Sequence, residues 1–102
     1  MLISIVIPCY HSAQTIEKVV DLTLEEFDRL PGYECEFVLV NDFSKDATFE
    51  KIRTLSEKYD FVKGVDLSRN FGQHNAIMAG LRYASGDYII GMDDDLNRKS
   101  VV

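Results

Sequence analysis

The hydrophobic pattern changes period several times along the chain, and each change marks an element. Leu2 to Pro8 (Leu-Ile-Ser-Ile-Val-Ile-Pro) is almost continuously apolar, as a parallel strand covered on both faces would be. From about Ala13 to Leu30, Ile16, Val19, Val20, Leu24 and Phe27 recur at helical spacing, with Ser12 as the expected N-cap and Pro31-Gly32 as the stop. Glu36 to Asn41 carries Phe37-Val38-Leu39-Val40, a second buried strand. Asn41-Asp42-Phe43-Ser44 then turns it into a helix with the apolar stripe Phe49, Ile52, Leu55 and Tyr59. Phe61 to Leu67 reads as a short third strand, Gly72 to Ala84 as a helix rich in small residues, Ser85-Gly86 as its C-cap, and Asp87 to Met92 as a fourth strand.

Strands alternating with helices at this spacing require right-handed crossovers. The expected fold class is therefore α/β, a Rossmann-like doubly wound parallel sheet of order 3-2-1-4. Its switch point lies between strands one and four, so the loops carrying Pro8 to Ser12 and Asp93 to Asp95 should meet in one crevice, with Asp42 on the same edge.

Composition narrows the class. The chain has 102 residues, 46% hydrophobic and 27% charged, which suits one ordinary soluble domain. No apolar run approaches the roughly 20 residues of a bilayer span, and the start lacks the basic flank of a signal peptide. A cytoplasmic location is expected. Cys9 and Cys35 fit neither a disulfide framework nor a zinc pattern, and read as free thiols near strand ends. A net charge of -6 argues against wrapping nucleic acid but not against a nucleotide bound through a metal.

The candidate chemistry lies where Tyr88-Ile89-Ile90-Gly91-Met92 delivers three consecutive carboxylates, Asp93, Asp94 and Asp95. Mg²⁺ and Mn²⁺ prefer such oxygens and share them with substrate phosphates. Asp93 and Asp95 alternate along the strand direction and can approach an ion from one side, with Asp94 pointing elsewhere. The competing reading is a solvated acidic turn, which the buried run before it disfavours. Neither G-x-G-x-x-G nor G-x-x-x-x-G-K-S/T occurs, which disfavours a nicotinamide enzyme and a P-loop phosphotransferase. A metal bridging a diphosphate is the natural substitute.

Asp42, acceptor-only when ionised, suits the N–H of a base such as uracil or guanine. Its alternative is to cap the second helix, a task Ser44 or Asp46 can also perform. At an exposed strand end it is expected to matter little for stability. Arg69 can grip a phosphate with two hydrogen bonds or form a surface ion pair. His74 is a weak candidate base beside its reading as polar helix surface. Gly72, Ala76, Ala79 and Gly80 either admit a ligand or let a helix lie close on the sheet.

Four segments together carry a resemblance: Ile5-Val6-Ile7-Pro8-Cys9-Tyr10, Val40-Asn41-Asp42-Phe43-Ser44-Lys45-Asp46-Ala47-Thr48, Leu67-Ser68-Arg69-Asn70-Phe71-Gly72, and Ala84-Ser85-Gly86-Asp87-Tyr88 through Asp95. In order and spacing they resemble the N-terminal, nucleotide-binding half of a family 2 glycosyltransferase of GT-A fold. The branch they most resemble moves a sugar from a nucleotide diphosphate to polyprenyl phosphate and is related to dolichol-phosphate mannose synthase. The resemblance covers residues 2 to about 97, giving a nucleotide-sugar-binding part over 1–97 and a tail, 98–102, to which no role is transferred.

The resemblance implies that Pro8, Tyr10, Val40 and Asp42 surround the base and ribose. Asp93 and Asp95 match the metal-binding Asp-x-Asp pair, with Met92 and Asp94 beside the ribose or diphosphate. His11-Ser12 stands where the family often has Asn-Glu, and Asn97 where it usually has Gln. The implied reaction is a direct, inverting displacement at the anomeric carbon with Mg²⁺ or Mn²⁺ on the leaving diphosphate. A lipid phosphate, largely dianionic at neutral pH, could attack without a protein base.

Family members run to at least twice this length, so this chain is expected to be the donor-binding half, with little activity alone. The acceptor site and any anchor on the cytoplasmic membrane face would lie in the other half. A different class remains as the alternative, a metal-dependent nucleotide-binding or receiver-like module in which Asp66 would stand near the phosphoacceptor position. An open edge along strand 87–92 is expected to favour a homodimer.

Overall fold

The computed structural model describes residues 1–93 and 100–101. The elements are β1 (Leu2–Cys9), α1 (Ile16–Asp28), β2 (Glu34–Asn41), α2 (Thr48–Lys58), β3 (Val62–Asp66), α3 (Gln73–Leu81), β4 (Tyr88–Met92) and β5 (Ser100–Val101). The sheet order is β3-β2-β1-β4-β5, with β1 to β4 parallel. The expected order 3-2-1-4 is therefore present.

Residues 100–101 of the tail form the fifth strand of the sheet. β5 runs antiparallel to β4, with Gly91 opposite Val101 and Met92 opposite Ser100. The far edge of β4, expected to be open throughout, is thus covered at its carboxyl end. Tyr88 to Ile90 have no partner on that side among the described residues, and Tyr88 and Ile89 are exposed.

Alternation along the strands explains the two-sided core. Ile5, Ile7, Phe37 and Leu39 point to one face, where they pack with Ile16, Val19 and Val20 of α1 and Ile52 and Leu55 of α2. Val6, Val38 and Val40 point to the other, beneath Ala76 of α3. A Cβ on Gly80 would lie 2.6 Å from Val6 Cγ1 and 2.9 Å from Val40 Cγ2. Ala76 and Gly80 therefore serve close packing of α3 on the sheet, the second of the two uses read for these small residues. Neither cysteine forms a disulfide. Burial, reinforced by the charge of Asp28, pushes the Cys35 thiol up to about 11, which keeps it protonated at neutral pH.

Ser85-Gly86 does not cap α3, whose C-cap is Arg82. These residues instead form a clamp at the amino edge of the sheet. The Ser85 N–H donates to Glu36 Oε2 at 2.6 Å, and Ser4 Oγ, which donates to the same oxygen, accepts from the Gly86 N–H at 2.7 Å. Lys63 Nζ lies 3.1 Å from Glu36 Oε1. A Cβ on Gly86 would stand 2.7 Å from the Ser4 nitrogen and 2.9 Å from the Leu2 carbonyl oxygen, so only glycine lets the chain pass here. The Asp87 N–H then donates to the Leu2 carbonyl at 2.7 Å, and Asp87 Oδ2 accepts from the Leu2 N–H at 3.0 Å. The stretch Ala84 to Tyr88, the start of the fourth segment that carries the resemblance, sets the register of β4 against β1.

Candidate nucleotide-binding site

At the carboxyl edge the chain leaves β1, β2 and β3 through loops, and these loops are bonded to one another. Ser12, expected as the N-cap of α1, is displaced from that role by Thr15. The Ser12 carbonyl accepts from the Thr15 and Ile16 N–H groups at 3.1 and 3.0 Å, while its hydroxyl oxygen accepts from the Tyr10 N–H at 3.1 Å. Its own N–H donates to Thr48 Oγ1 at 2.8 Å, and the His11 N–H donates to Ser44 Oγ at 2.9 Å. The β1–α1 loop is therefore stitched to the start of α2. His11 (φ 53°) and Phe43 (φ 56°) adopt left-handed backbone conformations. Asn and His are both enriched there, which gives His11 a physical reason to stand where the family often has Asn. The His11 ring stacks on Tyr10, centroids 4.1 Å apart.

Asp42 is not the cap of α2. That end is held by Asp46, whose Oδ1 accepts from the Thr48 N–H at 3.1 Å and from its hydroxyl. Asp42 is 3% exposed and binds the segment that leads into α3. Its Oδ1 accepts from the Phe71 N–H at 2.8 Å and its Oδ2 from the Gly72 N–H at 3.1 Å. Asn70 Nδ2 donates to the Asp42 carbonyl at 3.3 Å. The expectation that this residue sits at an exposed strand end is corrected: it is a buried anchor between β2 and α3. Each carboxylate oxygen carries a further lone-pair site, so an outside N–H can still be accepted.

These loops enclose a cavity of about 310 Å³ lined by Pro8, Tyr10, Asp42, Asn70, Gly72, Gln73 and Asp93. Four residues singled out in the sequence, Pro8, Tyr10, Asp42 and Asp93, thus converge from three strand ends. Val40 and Met92 lie beneath them, buried in the core, and line no part of the cavity wall. Arg69 is exposed and outside the lining, its guanidinium carbon 4.9 Å from the centre of the Phe71 ring. Asp94 and Asp95 fall outside the described residues. Among the described residues no three metal-ligating side chains cluster, and Asp93 is the member of the acidic triplet that can be placed. Its Oδ1 accepts a hydrogen bond from Gln73 Nε2, which leaves Oδ2 with the hard-oxygen chemistry a Mg²⁺ or Mn²⁺ ion takes.

Asn70 and Gln73 join the wall without a sequence motif to mark them, and Gly72 lies where the first use read for the small residues, admitting a ligand, would put it. Their signal was position: they follow the carboxyl end of β3, on the edge where ligands bind in such sheets. His74 is exposed and lies outside the cavity wall. Asp66 Oδ1 accepts from Asn41 Nδ2 at 2.8 Å, a bond between the carboxyl ends of β3 and β2.

Comparison with known proteins agrees with this geometry. The family model described as glycosyl transferase family 2 matches residues 4–97. The prophage bactoprenol glucosyl transferase homolog of Escherichia coli (strain K12) is 42% identical over 96 residues, covering 94% of this chain and 31% of that protein. The undecaprenyl-phosphate 4-deoxy-4-formamido-L-arabinose transferase of Shewanella sediminis (strain HAW-EB3) is 41% identical over 95 residues, covering 92% and 28%. Among solved structures, the mannosyltransferase PcManGT from Pyrobaculum calidifontis, in complex with GDP-Man and Mn²⁺, superposes with a TM-score of 0.76 at 26% identity, covering 91% of this chain and 27% of that one. The chain thus spans about a third of the length of the curated relatives it matches. With its doubly wound sheet, its cavity at the strand switch point and a family match over nearly its whole length, the chain belongs to glycosyltransferase family 2.

Proposed function

We propose that residues 1–97 are the nucleotide-sugar-binding part of a transferase that moves a sugar from a nucleoside diphosphate to polyprenyl phosphate with inversion. The observation that carries this reading is the convergence of Pro8, Tyr10, Asp42 and Asp93 on one cavity. Tyr10, half exposed at its rim, offers a face for a base to stack on, and Asp42 offers acceptors for a base N–H. Asp93 and Asp95 are the ligands for Mg²⁺ or Mn²⁺, and Asp94 is a contact of the ribose or diphosphate. Arg69 reaches the phosphates from outside the wall. A bound divalent ion neutralises charge that develops on the departing diphosphate. The names of the bacterial relatives support a polyprenyl-phosphate acceptor, and the GDP-Man and Mn²⁺ of the mannosyltransferase support the donor and metal classes.

The described residues contain no helix long and apolar enough to cross a membrane. In this reading the chain works on the cytoplasmic face, where a nucleotide sugar is at hand and a lipid phosphate lies at the bilayer surface. No base is required from the described residues, because a phosphate dianion is already the nucleophile.

The reading is tested by calorimetry. Nucleoside diphosphate should bind in the presence of Mn²⁺ and bind at least about 10-fold more weakly in chelator, and Asp95→Ala should erase that difference. Equal affinity with and without metal in the unsubstituted chain overturns it. A homodimer through strand 87–92 would be restricted to Tyr88–Ile90, the stretch β5 leaves without a partner. Light scattering should then show association that Ile89→Lys abolishes, and a monomer at millimolar concentration refutes the dimer.

A further inference from the structure

Gln73 opens α3, where an exposed glutamine is ordinarily surface. Three observations give it a function. It lines the cavity together with Asp93, and its side-chain amide donates to Asp93 Oδ1. An ionised carboxylate only accepts, so the amide must present nitrogen to it. The backbone that carries Gln73 is also held from behind. Asp42 binds the N–H groups of Phe71 and Gly72. Gly72 takes φ 89°, and a Cβ there would meet nothing within 4 Å. This glycine is therefore needed for its backbone angle and not for space. The clamp and the left-handed turn together aim the first side chain of α3 across the cavity toward the end of β4.

We propose that Gln73 is a positioning residue for the metal-binding carboxylate: by holding Oδ1 it fixes the rotamer of Asp93 and presents Oδ2 to the divalent cation. The proposal rests on the nucleotide-sugar reading of the site. It also links the two ends of the cavity through one short segment, because the residue that holds Asp93 follows directly on the two that Asp42 holds.

The test compares the chain with Gln73→Met, which keeps length and removes the donor, and with Gln73→Glu, which places a second carboxylate beside the first. Free Mn²⁺ is followed by electron paramagnetic resonance in the presence of UDP and of GDP, and nucleotide affinity is measured separately in chelator. Gln73→Met should bind Mn²⁺ about 10-fold more weakly, in the range seen when an outer-shell partner of a metal ligand is lost. Its nucleotide affinity in chelator and its melting temperature should be unchanged. Gln73→Glu should shift Mn²⁺ affinity while sparing nucleotide affinity in chelator. Unaltered Mn²⁺ affinity in both variants overturns the proposal, as does an equal loss with and without metal, which would mark a structural role. If the unsubstituted chain itself shows no Mn²⁺-dependent nucleotide binding, the reading of the site fails and the proposal with it.

Discussion

Asp42→Ala should lower the unfolding free energy by about 3 kcal/mol, since hydrogen bonds to a charged acceptor contribute roughly 1.5–3 kcal/mol each and two part-buried ones are lost together. Two N–H groups, of Phe71 and Gly72, lose their acceptor at once. The same change should weaken nucleotide binding at least about 10-fold, because it removes the acceptor proposed for the base. Urea unfolding and calorimetry below the melting temperature read the two effects separately. Asp42→Asn keeps one carbonyl acceptor and should fall between. A variant that melts like the parent would remove Asp42 from its anchoring role, whatever happens to binding.

The second large effect is acid sensitivity at the opposite edge of the sheet. Burial alone would raise the Glu36 pKa, but hydrogen bonds from Ser4, Ser85 and Lys63 outweigh it and hold the carboxyl at about 2, down from 4.5. A depressed folded-state pKa means that the stabilisation is fully present above 4.5 and is lost as pH falls through about 2. Over that window Glu36 should account for about 3 kcal/mol, from the free energy equivalent of its shift. Glu36→Gln should therefore be less stable at neutral pH, and its stability should fall less steeply between those limits. Parallel pH profiles for the two proteins would show that the clamp is held by something other than this charge.

The four parallel strands could be read from the sequence because a strand covered on both faces needs an unbroken apolar run, and Leu2 to Pro8 and Phe37 to Val40 supply one. The strand order followed from crossover geometry. The convergence of Pro8, Tyr10, Asp42 and Asp93 then followed from the sheet's single switch point. What stayed hidden depends on contacts between distant residues. Ser12 has the chemistry of an N-cap, yet it bonds instead with Tyr10 and Thr48. Asp42 pairs with backbone groups of Phe71 and Gly72, and no local pattern reveals a partner that far along the chain. Glu36 lies in a run whose strand character is plain, but its neighbours Ser4 and Ser85 come from the first and last quarters of the sequence. The polar residues of the 70–73 segment look like helix-start surface until β4 is brought alongside.

The placement of β1 has a consequence for biosynthesis. It is made before both of its neighbours, yet it ends in the middle of the sheet, with β2 on one side and β4 on the other. Ile3 pairs with Cys35 on the first side but with Tyr88 on the second. At synthesis rates of about 5–20 residues per second, the strand waits on the order of 4–17 s for that second neighbour. During the delay one row of its peptide groups is open to any extended segment nearby. The early product is thus an adhesive ribbon, and a nascent-chain chaperone would find its strongest purchase on Ile3 to Val6 until Tyr88 to Gly91 emerge to close the gap.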